Sequence, residues 1–80
     1  MWIEDKGKLV KHFEFNDFNE AISFLNEIQK ICNELNHHPE IYNCYNQVKL
    51  SLCTHDSQNT ITKKDYQLAK LIDNISLCDK

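Results

Sequence analysis

Apolar residues recur at steps of three and four from Phe18 to Leu35: Phe18, Ala21, Ile22, Leu25, Ile28, Ile31, Cys32 and Leu35. That spacing gathers them on one side of an amphipathic α-helix of about five turns. Asp17 stands at its start and Glu20 follows three residues later, the spacing of a capping box. Phe24 lies to one side of the stripe and is expected to widen it toward a subunit contact. Asn36 to Pro39 ends the helix, because proline biases His38 away from helical angles. A second, shorter stripe of Leu68, Ala69, Ile72 and Ile75 follows another box-like start, Thr62-x-x-Asp65.

Elsewhere the apolar period drops to two. In residues 8 to 15, Leu9, Phe13 and Phe15 share one parity, while Val10, His12 and Glu14 take the other. This is the pattern of a half-buried strand. Lys11 interrupts the apolar side, which suggests a position near a sheet edge. Residues 2 to 5 supply a partner strand through Asp5-Lys6-Gly7-Lys8, where Gly7 tolerates positive φ. Residues 41 to 54 hold two more strands, in the later of which Val48, Leu50 and Leu52 alternate with Lys49, Ser51 and Cys53. Thr54 to Ile61 reads as a polar loop. The order β-β-α-β-β-α predicts an α+β two-layer sandwich: a four-stranded antiparallel sheet with the helices packed on one face. No linker or repeat interrupts it, so residues 1–80 are expected to form a single domain.

Composition narrows the functions open to such a fold. Net charge is −3, and no basic cluster exceeds Lys63-Lys64, so charge gives no support to nucleic-acid binding. No apolar run approaches the ~20 residues of a membrane span, and the first residues lack the apolar centre of a secretory signal. The expected location is the cytoplasm, with a nuclear pool open to so small a chain. Cys32, Cys44, Cys53 and Cys78 are widely spaced and form no CxxC pair. They read as free thiols, neither a disulfide framework nor a zinc ribbon. At 80 residues, with 41% hydrophobic residues, the core is modest, and oligomerisation is a common supplement.

His37, His38 and Pro39 follow the long helix, and His55 ends the strand that begins near Val48. The pair alone has an ordinary explanation, since the helix dipole and free carbonyls favour histidine at a helix C-terminus. His55 opens another. If its strand pairs with the one after the HHP run, its far end approaches the pair. Two imidazoles flanking a small substrate can then act as acid and base near neutrality. A metal site fits less well: adjacent His37 and His38 diverge on an extended chain, and no HExxH spacing is present. Cys53 shares a strand face with His55, which admits a thiol nucleophile, but a buried strand cysteine explains it more simply. His12 sits on the polar side of its strand without companions. Asp65 is accounted for locally by the helix start.

The run HHPEIYNCYNQVKLSLCTHD, followed by DYQLAKLID, resembles the pterin-4a-carbinolamine dehydratases. HHP, Tyr45, Val48, Thr54-His55, Thr62, Asp65, Leu68, Ala69 and Ile72-Asp73 stand in that family's order. Trp2, Phe13, Phe15-x-Asp17-Phe18 and Phe24 extend the likeness over nearly the whole chain. The resemblance implies the same fold and a reaction: water is eliminated from a 4a-hydroxy-tetrahydropterin, such as 4a-hydroxy-tetrahydrobiopterin, to give the quinonoid dihydropterin. This recycles the pterin of aromatic amino acid hydroxylases, and no metal or organic cofactor takes part. It implies His37 and His55 as acid and base, in either order, with His38, Pro39, Lys64, Asp65 and Trp2 around the substrate. For Trp2 a place in the core is an equal alternative.

The chain departs from the family pattern in three places. Asn33 stands where an acidic residue often precedes the first histidine by four, with Glu34 one step away. The loop from Asp56 to Thr62 has no glycine where the family usually has a GGLT-type sequence. The additional N-terminal helix of many members is not expected before Trp2. The resemblance also implies a homo-dimer or homo-tetramer, and for some animal members a transcription-factor partner bound through the long helix. A protein-binding module, or an inactive scaffold of the same fold, is therefore the alternative function.

Overall fold

The computed structural model describes residues 2–54 and 60–78. Its elements are β1 (Ile3–Asp5), β2 (Lys8–Glu14), α1 (Phe18–Leu35), β3 (Glu40–Cys44), β4 (Gln47–Leu52) and α2 (Lys63–Cys78). The four strands form one antiparallel sheet in the order β1-β2-β4-β3, the predicted α+β sandwich. Lys6 and Gly7 turn the first hairpin, both at positive φ, which matches the twist of the strands they join.

Register sorts the side chains by face. Leu9, Lys11 and Phe13 lie opposite Leu52, Leu50 and Val48, and these positions look toward the helices. Val10, His12 and Glu14 lie opposite Ser51, Lys49 and Gln47 on the other face. The core closes where the first set meets Ala21, Phe24, Ile28 and Cys32 of α1 and Leu68, Ala69 and Ile72 of α2. Among the described residues no helix is long and apolar enough to cross a membrane.

Two expectations change. Phe24 does not widen an outward face; it is fully buried, its ring centroid 4.8 Å from Phe13 and 5.0 Å from Phe15. The steps of three and four define the stripe, but only the sheet decides which row of it is innermost. That row is 21–24–28–32, and Phe18, 48% exposed, lies at the margin. Lys11 is not on an edge strand either. β2 is interior, but β1 pairs with it only as far as Ile3 opposite Val10, so Lys11 emerges where β1 runs out. Its Nζ passes 5.0 Å from the Phe13 ring centroid and reaches Asp73 Oδ1 on α2 at 2.7 Å. The stem covers core while the ammonium finds a carboxylate and a ring face.

Both ends of α1 are built from side chains and backbone close in sequence. Asp17 accepts the Glu20 N–H at 2.9 Å, and Glu20 reaches back to the Asn16 N–H at 3.0 Å, one residue beyond the usual box position. At the other end Asn36 is left-handed, with φ 53° and ψ 44°. Its N–H donates to Asn33 O at 3.3 Å and the His37 N–H to Cys32 O at 3.0 Å, a Schellman closure. The backbone of His37 is thus part of the helix stop, which fixes where its imidazole begins.

Candidate active site

From that stop the His37 ring extends to the first turn of α2. Its Nε2 lies 2.6 Å from Asp65 Oδ1. The His37 side chain is 11% exposed and that of Asp65 is not exposed at all. The other carboxylate oxygen, Oδ2, accepts the Thr62 N–H at 2.9 Å and the Thr54 hydroxyl at 2.9 Å. Thr54 Oγ1 and Thr62 Oγ1 are 2.6 Å apart. Because Thr54 has one hydroxyl proton and gives it to Asp65, Thr62 donates to Thr54. The buried carboxylate is therefore surrounded by donors, which is what its removal from water requires.

Asp65 begins α2 as its sequence position indicates, and in addition holds a histidine 28 residues away. No local pattern announces that second task. Thr54 and Thr62 were legible only as a neighbour of His55 and as a helix start; their hydroxyls join the two segments. An isolated bridge between Thr54 and Thr60, with Thr54 N–H to Thr60 O at 2.8 Å, ties the ends of the intervening loop. His55 and the glycine-free loop segment 56–59 lie outside the described residues.

His38 turns elsewhere. Its Nε2 is 3.0 Å from Asn33 Oδ1 on the last turn of α1, and the residue is exposed. Asn33 therefore partners His38, while the carboxylate that orients His37 comes from α2. Pro39 is half-buried ahead of β3, and Lys64 is exposed on α2 beside Asp65 in the chain. Trp2 is drawn into a different cluster: its Nε1 donates to Asp73 Oδ1 at 3.1 Å, and its ring meets the Phe13 ring edge-on at 6.1 Å. Eight residues of helix, about 12 Å, separate Asp73 from Asp65.

Among the described residues no group of three or more His, Cys, Asp or Glu side chains converges. Cys32 and Cys53 are free and buried, and Cys44 is free and exposed. A shallow hollow of about 380 Å³ lies over the first hairpin, lined by Ile3, Glu4, Asp5, Val10, Lys11 and His12. Its Lys11 is committed to Asp73 and its Glu4 to the Tyr66 hydroxyl, so the acid–base pair at His37 is the stronger candidate.

The sequence model for the family described as "Pterin 4 alpha carbinolamine dehydratase" matches residues 1–75. The chain belongs to that family. It is 50% identical over 74 residues to a "Putative pterin-4-alpha-carbinolamine dehydratase" of Prochlorococcus marinus, covering 92% of this chain and 76% of the relative. A dehydratase homologue of the same name from Sulfolobus acidocaldarius is 43% identical over 74 residues, covering 92% and 80%. Among solved structures, a "transcriptional coactivator/pterin dehydratase" from Brucella melitensis superposes with a TM-score of 0.87 at 33% identity, covering 92% of this chain and 80% of that one. A pterin dehydratase-like protein described as a RuBisCO assembly factor in the alpha-carboxysome shares the dehydratase fold, with a TM-score of 0.75 at 18% identity and coverage of 94% and 86%.

Proposed function

We propose that this chain catalyses the dehydration of a 4a-hydroxy-tetrahydropterin, with His37 and His55 as the acid–base pair. The observation that carries the reading is the contact between His37 and the fully buried Asp65. An imidazole backed by a carboxylate can take up and release a proton repeatedly without losing its orientation. His55 enters the same assignment because it directly follows Thr54, which is bonded to the same carboxylate as His37. His38 and Pro39 follow His37 in the chain, Lys64 directly precedes Asp65, and all three are assigned to substrate contact. Trp2, bonded to Asp73, is assigned to the fold.

The chemistry asks for two such groups. Hydroxide is a poor leaving group, so an acid protonates the 4a oxygen as the C–O bond breaks and water departs with the bonding electrons. A base takes the proton of the adjacent ring nitrogen, whose electrons form the C=N bond of the quinonoid dihydropterin. The elimination is redox-neutral, so acid–base groups suffice and no metal or organic cofactor is called for.

The test is direct. Enzymatically generated 4a-hydroxy-tetrahydrobiopterin is supplied and its loss followed by absorbance. Wild type accelerates the loss over buffer, His37→Ala and His55→Ala each lower the rate by about 10²–10⁴-fold, and a chelator changes nothing. Activity indifferent to both substitutions overturns the residue assignment. A folded wild type no faster than buffer favours the second reading, a protein-binding module, which the coactivator name of the Brucella protein supports. A homo-dimer or homo-tetramer in the cytoplasm is proposed alongside either, on the chain's small size and the exposed Phe18, Ile41 and Tyr42; light scattering reads the assembly.

A further inference from the structure

Asp65 meets its donors in a fixed arrangement. The Thr62 backbone N–H can only donate, and it points at Oδ2 from 2.9 Å. Thr54 Oγ1 gives its proton to the same oxygen while taking the proton of Thr62. Oδ1 is left for His37 Nε2, 2.6 Å away. An ionised carboxylate only accepts. The ring hydrogen therefore sits on Nε2, and the lone pair of the neutral ring sits on Nδ1.

We propose that Asp65 fixes His37 in the Nε2–H tautomer, so that Nδ1 is the nitrogen that exchanges a proton with the substrate, and that Thr54 is a positioning residue that holds the carboxylate with Oδ1 toward the ring. The word substrate rests on the dehydratase reading above; the tautomer does not. Thr54 is buried, and its one hydroxyl links the strand end that leads into His55 to the helix start that holds His37. Its role is indirect, acting on the ring by way of the carboxylate.

Nitrogen-15 NMR of the imidazoles, at a pH that leaves them neutral, reads the tautomer without any substrate. Wild-type His37 carries its hydrogen on Nε2. In Asp65→Asn the Thr62 N–H and the Thr54 hydroxyl still need an acceptor, so the amide oxygen turns to them and the NH₂ faces His37. Nε2 must then accept, and the ring hydrogen moves to Nδ1. With the tautomer inverted, kcat falls on the order of 10⁴-fold, the size of that effect in a serine-protease triad, while KM changes little. Thr54→Val removes one of the donors that hold Oδ2; the carboxylate still only accepts, so the ring keeps its tautomer, but Oδ1 is held less firmly, the Nε2–H exchanges faster with water and kcat falls about tenfold. Thr54→Ser, which keeps the hydroxyl, restores both, and backbone amide spectra verify that each variant is folded. A neutral wild-type His37 with its hydrogen on Nδ1, or a folded Thr54→Val whose Nε2–H exchange and kcat both match wild type, overturns the proposal. A wild type inert toward pterin whose His37 tautomer still inverts in Asp65→Asn supports the positioning role and overturns the dehydratase reading instead.

Discussion

Phe24 stands between two rings, those of Phe13 and Phe15, with none of its surface in water. Cutting it to alanine removes that packing and leaves a cavity, at a cost of about 3–5 kcal/mol. A chain of this length holds roughly 4–12 kcal/mol in total. Phe24→Ala should therefore lose a large share of its stability in urea, while Phe18→Ala, at the half-exposed margin of the same helix, loses much less. Equal midpoints for the two variants would mean that the row 21–24–28–32 is not the innermost one. At this scale the sequence told residue type and period but not partners. Lys11 looked misplaced because the carboxylate that receives it lies 62 residues on. Asp65 looked complete because its cap partner is three residues away, whereas His37 is 28. Contacts between distant segments depend on how the sheet and helices stack, and no spacing along the chain encodes that.

The elements themselves were legible because their determinants are local. Asp17 and Glu20 start α1 within four residues, and alternation marks β2 and β4 whether or not their order in the sheet is known. The ends of elements were less so. Tyr45, at φ 54°, turns the hairpin between β3 and β4, a costly angle for a large side chain. It is sustained by the Asn43 amide, which donates to Tyr45 O at 3.3 Å and Gln47 O at 2.9 Å, and by Asn46, which bonds the Phe15 carbonyl at 2.9 Å. Asn36 is the clearer test, since its left-handed angles close α1 one residue before His37. Glycine reaches those angles freely, and alanine pays about 1 kcal/mol or more for them. Asn36→Gly should match or exceed wild type in thermal stability, and Asn36→Ala should fall about 1 kcal/mol below it. Should the alanine variant melt with the glycine one, the helix stop is not held by that conformation.

Three groups spread over the molecule bind their protons more tightly when the chain is folded. Burial pushes the Cys32 thiol on α1 up from its ordinary 9.0. The Glu4 carboxylate on β1 pushes the Tyr66 phenol on α2 up from 10.0. A hydrogen bond from Lys8 on β2 to Glu40 on β3, spanning β4, holds that ammonium above 10.5. For each, the unfolded chain releases its proton at a lower pH than the folded one. Between the two values the native state binds more protons, so stability falls as pH rises. The contribution is intact below about pH 9 and is lost as pH climbs through the folded values. All three act in the same direction, drawing on groups of β1, β2, β3 and both helices; solvent screens the exposed Tyr66 and the Lys8–Glu40 pair, so the buried Cys32 thiol should carry the larger share of the decline. Urea midpoints should be lower at about pH 10.5 than at about pH 8. Cys32→Val, similar in size but without the thiol, should remove the earliest part of the decline, and Glu4→Gln should flatten the part owed to Tyr66. A wild-type midpoint that stays level across that interval would show that folding does not hold these protons, and with them the contacts between β1 and α2 and between β2 and β3 that hold them.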